Sequence, residues 1–202
     1  MVGLQPSQQE GMCFIISAPA GTGKTTLVRL LVKEFPSMVV NVSYTTRQPR
    51  DKEVNGKDYH FITRSAFENK IATFDFLEYV NLYGEYYGSS YQWITEQQKL
   101  GKHVVLVIDT QGALQLKKLP NAIFIFITPP SLEVLKKRLN LRNTETTTTL
   151  EARLAWAEKE MQMINHYDYH IVNDDLQTAY EVLKSIVIAE CHRVKNKIKS
   201  SQ

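Results

Sequence analysis

Residues 18–25 read Ala18-Pro19-Ala20-Gly21-Thr22-Gly23-Lys24-Thr25. Their spacing is that of G-x-x-x-x-G-K-[ST], with alanine in place of the first glycine. Such a run suits the holding of a phosphate chain. Glycines let backbone N–H groups turn inward around an anion. A helix directly behind adds free N–H groups and the positive end of its dipole. Lys24 would reach the β- and γ-phosphates of a nucleoside triphosphate, and the Thr25 hydroxyl would meet Mg²⁺. Thr26 follows at the first turn of the helix. Ala18 is compatible with the cradle if its φ is negative.

Other residues could act on the same anion. Asp109 closes the apolar run 103–108, where a carboxylate can reach a metal or its water shell; a polar strand cap is the plainer reading. Arg47 and Arg50 flank Pro49, which imposes an extended or turn geometry and lets both guanidiniums converge. With Tyr44, Tyr59, Tyr79, Tyr83, Tyr86 and Tyr87 in the same stretch, they could cage a phosphate monoester. Alone, they would be solvated loop charges. Arg138, Arg142 and Arg153 flank the polar tract 143–149. That arrangement suits a lid that neutralises a transferring phosphoryl group, although arginines at helical spacing are more often surface ion-pair partners. Glu78 lies inside the apolar run 76–79. A buried carboxylate needs a partner, either a structural arginine or the donor edge of a purine.

These residues need a scaffold. Apolar or strand-like runs fall at 12–17, 38–42, 59–62, 74–80, 103–108, 122–127 and 170–173. Helical spacing predicts helices over 23–34, 65–72, 91–100, 113–118, 132–141, 148–165 and 176–198. Ser65 and Glu68 form a candidate capping box for the second, Thr148 and Glu151 one for the sixth. Strands alternating with helices, without polar alternation in the strands, predict an α/β fold with a parallel central sheet covered on both faces. Ligands in such sheets bind beyond the carboxyl ends of the strands, where the 18–25 loop and Asp109 both fall. The stretch 43–90 changes character and reads as an inserted subdomain, a small sheet with one helix.

The chain has 202 residues, 43% hydrophobic and 22% charged, with a net charge of +3. It is long enough for one or two small domains with a real core. The mild charge suits a small anionic ligand and does not argue for nucleic acid. Cys13 and Cys191 stand outside any metal-ligand spacing, so neither a zinc site nor a disulfide framework is expected. The stretch 1–11 is polar and expected to fray, and no secretory signal or membrane span is read. A cytoplasmic protein is the default expectation. The basic tail, Arg193, Lys195, Lys197 and Lys199, reads as a solvated helix end.

Taken together, the motifs resemble the guanylate kinases, P-loop nucleoside monophosphate kinases, from about residue 14 to 183. The family's first loop matches 17–25. Its S-x-T-T-R-x-x-R is 43–50, its G-x-D-Y-x-F is 56–61, and its F-L-E is 76–78. Its Y-G-[TS] is 87–89, its I-D-x-Q-G is 108–112, and its N-D-D-L is 173–176. The resemblance implies a P-loop three-layer fold whose core is 1–42, 91–133 and 150–202. It also implies a GMP-binding subdomain, 43–90, and a lid, 134–149. Arg47, Arg50, Tyr59 and Tyr87 would hold the GMP phosphate. Ser43, Glu78, Ser89 and Asp109 would read or support the guanine, and Asn173 would lie by the adenine of ATP. The family places Asp109 near the guanine amino group; a metal contact through water stays open.

The chain departs from the family pattern at Ala18, at Val107, where many members carry an acid, and at Asn143, where glycine is common. The implied reaction is transfer of the γ-phosphoryl of ATP to GMP, with dGMP a further acceptor and Mg²⁺ as cofactor. Lys24, Arg47, Arg138, Arg142 and Arg153 would neutralise charge. The partners would be small molecules, with no nucleic acid, membrane or protein partner implied. Two alternatives stay open: a guanylate-kinase-like binding module without catalysis, and a kinase for a different acceptor.

Overall fold

The computed structural model describes residues 10–140 and 147–194. The expectations for the first nine residues, for Arg142, for Asn143 and the start of the polar tract, and for Lys195, Lys197 and Lys199 lie outside them.

The principal sheet has five strands: β1 (Cys13–Ser17), β2 (Met38–Val40), β7 (His103–Val107), β8 (Ala122–Thr128) and β9 (Tyr169–Val172). Their order is β2-β7-β1-β8-β9, and every pairing is parallel. β1 sits in the centre and all five of its residues are buried. A strand covered on both faces has no polar side, which is why its sequence lacks alternation. Phe14 and Ile16 face one way, toward Leu27, Val28 and Leu31 of α1 (Lys24–Glu34) and Ala179, Leu183 and Val187 of α7 (Leu176–Cys191). Cys13 and Ile15 face the other, toward Ile94 of α3 (Tyr91–Lys99) and Ala113 of α4 (Thr110–Gln115). Two helical layers therefore sandwich the sheet. α5 (Leu132–Asn140) and α6 (Thr147–Met161) form a satellite core through Leu135, Leu139, Leu150 and Ala157.

A second sheet uses only residues 44–90. Its strands are β3 (Tyr44–Thr45), β4 (His60–Phe61), β5 (Phe76–Leu82) and β6 (Glu85–Ser90), in the order β4-β3-β6-β5. β3 and β4 run parallel and the other pairs antiparallel, so this sheet is mixed. α2 (Arg64–Ala72) packs on it through Phe67, which stacks with Phe76 and Tyr86.

Several element boundaries correct the sequence reading. The α2 cap is Thr63, whose side chain accepts from the Ala66 N–H, not Ser65. β6 was not expected as a strand. The turn before it places Tyr83 and Gly84 at φ 53° and 87°, a mirror-type hairpin turn without the usual Asn-Gly or Asp-Gly signature. α4 begins at Thr110 rather than 113, because Asp109 caps it by accepting from the Gly112 N–H at 2.9 Å. α6 begins at Thr147, so the last residues of the polar tract are helical, and it ends at Met161. α7 ends at Cys191, short of the expected 198. Both cysteines are free, Cys13 buried and Cys191 exposed. Among the described residues no helix is long and apolar enough to cross a membrane.

Candidate active site

The loop 18–25 joins the end of β1 to the start of α1. Gly21 and Gly23 have φ of 90° and 89°, a left-handed backbone that favours glycine. Ala18 does not have a positive φ, so its methyl group is tolerated. The loop is braced from inside. The Thr22 hydroxyl donates to the Pro19 carbonyl at 2.9 Å and the Lys24 ammonium to the Ala18 carbonyl at 3.0 Å. It is also braced from outside: the Asn173 amide donates to the Thr22 carbonyl at 2.5 Å. A side chain on Gly23 would collide with that amide, its Cβ falling 2.5 Å from the Asn173 nitrogen.

Lys24 is half-buried rather than openly solvated. Burial pulls its ammonium below the usual lysine range, while Glu160 and Asp109 oppose that shift. Glu160, on α6, is 6% exposed. Burial pushes its carboxyl up to about 7 against the attraction of Lys24, and Asp109 adds to the rise. Burial raises Asp109 as well. One Asp109 oxygen caps α4, and Oδ2 is buried without a hydrogen-bond partner among the described residues. Gly21, Lys24, Thr25, Asp109, Arg153 and Glu160 line one cleft, and Arg50, Tyr83 and Tyr87 close it from the second sheet.

The arginines expected to serve a lid divide. Arg153 lines that cleft. Arg138 lies on the other side of the loop, donating to the carbonyls of Asn173 and Asp174 at 2.9 and 3.2 Å. It borders a separate hollow with Gly21, Thr26 and Asn173.

In the second sheet the guanidinium of Arg47 is held on three sides. Glu53 takes it in two contacts, 2.8 and 3.0 Å, and the Gln48 carbonyl accepts at 2.8 Å. The Tyr59 and Phe61 rings lie 5.4 and 5.7 Å from its centre. Of its five N–H donors, three are taken by Glu53 and Gln48. Nε is buried with no partner among the described residues. Tyr87 lies beside the same group, and its ring meets that of Tyr59 at 5.9 Å. Glu53 also accepts from the Arg50 backbone N–H at 2.8 Å, so one carboxylate organises both arginines' loop. The Arg50 side chain is exposed at the cleft.

Glu78, on β5, is 3% exposed and forms no ion pair among the described residues. The structural-arginine reading therefore fails: Arg47 pairs with Glu53 and Arg64 with Glu68. Its Oε1 accepts from the Ser89 hydroxyl at 2.6 Å. Its Oε2 points at Gly112, where a Cβ would fall 2.5 Å away. Burial pushes this carboxyl from 4.5 to about 7; Ser89 lowers it and Asp109 raises it. Ser43 and Ser89 meet through Asn41, whose amide donates to both hydroxyls at 3.2 and 3.1 Å.

Sequence reasoning missed Asn41, Glu53 and Glu160. Glu160 had a readable signal, since it continues the apolar stripe Leu150, Leu154, Ala157 on one face of α6. A carboxylate on a buried stripe is a candidate site residue. Asn41 interrupts the apolar run 38–42, a weaker signal of the same kind; Glu53 gave none, because it acts by orienting another residue.

Comparison with known proteins bears on this arrangement. The guanylate kinase family model matches residues 10–190. Over 190 residues the chain is 63% identical to a guanylate kinase of Protochlamydia amoebophila, covering 94% of this chain and 96% of that protein. It is 47% identical over 197 residues to one of Chlamydia trachomatis, covering 95% and 96%. A crystal structure of guanylate kinase from Anaplasma phagocytophilum superposes with a TM-score of 0.77 at 29% identity, covering 92% of this chain and 89% of that one. A match across nearly the whole length, on a fold that carries the phosphate loop and the polar second sheet, establishes that this chain belongs to the guanylate kinase family.

Proposed function

We propose that the chain transfers the γ-phosphoryl group of ATP to GMP, and to dGMP, giving ADP and the nucleoside diphosphate. One observation carries this reading. The glycine loop and the second sheet open into a single cleft, with Lys24 on one wall and Arg50 and Tyr87 on the other. Two anionic substrates can meet there with their phosphates adjacent. The loop 18–25 with Thr26 would cradle the ATP phosphates, and Asn173 would border its adenine. Arg47, through its unpartnered Nε, with Arg50, Tyr59 and Tyr87, would take the GMP phosphate. Ser43, Glu78, Ser89 and Asp109 would form the base pocket. On this reading 43–90 is the acceptor subdomain, 134–149 the lid, and the remainder the core.

The attacking phosphate oxygen is already anionic, so the chain need supply no base and no covalent intermediate. It supplies alignment and charge. Lys24 and Arg153 face the place where charge accumulates, and holding both substrates in line removes the entropic part of the barrier. Arg138 and Arg142 would join when the lid moves. Mg²⁺ fits the donor set. Thr25 offers a hydroxyl, Asp109 an oxygen without a partner, and hard oxygen ligands suit this ion. Among the described residues no group of three or more acidic, histidine or cysteine side chains could hold a metal alone, so phosphates and water would complete the shell. When bound, the ion would neutralise phosphate charge.

A coupled ADP-release assay over GMP, dGMP, AMP, CMP and UMP tests the assignment. ADP release with GMP and dGMP alone is expected. Preference for another acceptor, or none, would overturn it.

A further inference from the structure

The hydroxyl of Ser43 could in principle donate to a base or accept from it. We propose that Asn41 fixes this choice, making Ser43 a donor and so selecting a purine that carries an acceptor at position 6. The inference rests on the reading above that the base lies against Ser43 and Glu78.

Glu78, Ser89, Asn41 and Ser43 form a buried chain with a fixed number of hydrogens. Glu78 accepts from Ser89 at 2.6 Å. In its ionised form, the one able to accept from N1–H and the 2-amino group, Glu78 has no hydrogen to give, so the single Ser89 hydrogen lies on that bond. Ser89 is fully buried and 3.1 Å from the Asn41 amide. With its hydrogen in use, Ser89 can only accept there. The Asn41 group facing it must therefore be the NH₂ and not the carbonyl, a choice that amide shape alone does not make. The same NH₂ sends its second hydrogen to Ser43 at 3.2 Å. Asn41 is 6% exposed, and its backbone N–H is held on the Val105 carbonyl at 3.0 Å, so the amide is anchored at its root.

Ser43 thus receives a hydrogen from below and keeps its own. That hydrogen is then available to a base lying against Ser43 and Glu78. A purine with a carbonyl at position 6 satisfies it. A purine with an amino group there brings a second donor, and the Ser43 hydrogen is left unpaired in a buried place, which is unfavourable. Selectivity at position 6 then originates in Asn41, a residue that need not touch the substrate.

The test uses 6-thio-GMP, which keeps N1–H and the 2-amino group but replaces O6 by sulfur, a weaker acceptor. The measured quantity is the ratio of kcat/KM for GMP to that for 6-thio-GMP. Both substrates see the same preparation, so the folded fraction and any change in local charge common to both cancel. Asn41→Asp turns the amide into an acceptor that takes the Ser43 hydrogen. It is expected to lower the ratio about fivefold, the equivalent of one ordinary hydrogen bond. Ser43→Ala should lower it similarly, and Asn41→Asp in that background should add nothing. An unchanged ratio in Asn41→Asp, or an equal fall with and without Ser43, would overturn the inference. Glu78→Gln separates the two levels. If it leaves the GMP-to-AMP ratio unaltered, the base lies elsewhere and both readings fall. If it shifts that ratio while Asn41→Asp does not shift the thio ratio, only the role of Asn41 falls.

Discussion

The two halves of the cleft are made of different material. The loop at 18–25 is a backbone device: its shape follows from Gly21 and Gly23 at positive φ and from carbonyls tied by Thr22, Lys24 and Asn173. Side chains around it can vary, as Ala18 does, provided the dihedrals survive. The opposite half is a side-chain device. Arg47 is oriented by Glu53, and Ser43 and Ser89 by Asn41. Glu78 is buried with a hydroxyl as its hydrogen-bond partner. A backbone cradle binds any phosphate chain; prearranged side chains distinguish one base from another. The second kind of site also carries a penalty, since a charge held away from water destabilises the free protein.

Substitutions can break this contrast. The largest effect belongs to Lys24→Ala, which removes the one cationic side chain of the cradle while leaving its backbone. We expect kcat to fall by about a hundredfold or more, within the range for losing a charge-stabilising donor, with thermal unfolding little changed. A variant keeping more than about a tenth of the activity, under roughly 1.4 kcal/mol of barrier, would refute the role given to Lys24.

Next comes Glu78. Glu78→Gln should lower the GMP-to-AMP ratio of kcat/KM at least about tenfold, because the amide sets an NH₂ donor against one of the two neighbouring donors of guanine. The same residue gives a pH signature of opposite sign in function and in stability. Its carboxyl is raised from 4.5 to about 7 in the folded chain. Recognition of N1–H and the 2-amino group needs the ionised form, so kcat/KM for GMP should decline as pH drops below about 7. Stability of the free protein runs the other way. The contribution of protonated Glu78 is fully present below about 4.5 and is lost as pH rises through about 7. Glu78→Gln should flatten both profiles over this interval. Profiles that coincide with wild type would assign the titration to another group, such as Glu160.

A smaller effect should follow Glu53→Ala. Arg47 would keep its charge and its aromatic neighbours but lose its orientation. The KM for GMP should rise about five- to tenfold, roughly 1–1.4 kcal/mol or about one ordinary hydrogen bond, with the KM for ATP unchanged. Equal changes in both constants would mean that Glu53 merely supports the fold.

The same contrast explains what could be read from the sequence. The cradle was legible because its parts are contiguous and glycine punctuates them. The central parallel sheet was legible because fully buried strands are uninterrupted apolar runs. β6 was not. It reads Glu85-Tyr86-Tyr87-Gly88-Ser89-Ser90, with a glycine inside the strand and a Tyr-Gly turn before it, both weak signals. Asn41, inside the apolar run 38–42, and Glu53, among polar loop residues, acquire meaning only through a partner's geometry. The start of α4 was missed because Asp109 serves two ends at once, closing the stretch after β7 and capping the helix.

The position of β1 has a consequence for how the chain is made. Its register partners are Val104 to Val107 on one side and Ala122 to Phe126 on the other. A ribosome adding roughly 5–20 residues per second therefore delivers this apolar strand about 5–20 s before either neighbour exists. The second sheet, complete by Ser90, can condense during that wait from contacts much closer in sequence. The second sheet thus has the means to form before the loop 18–25 is anchored, although the loop's residues emerge first. Until then the strand before the loop 18–25 is an unpaired, largely apolar edge, the kind of segment that aggregates or engages a chaperone.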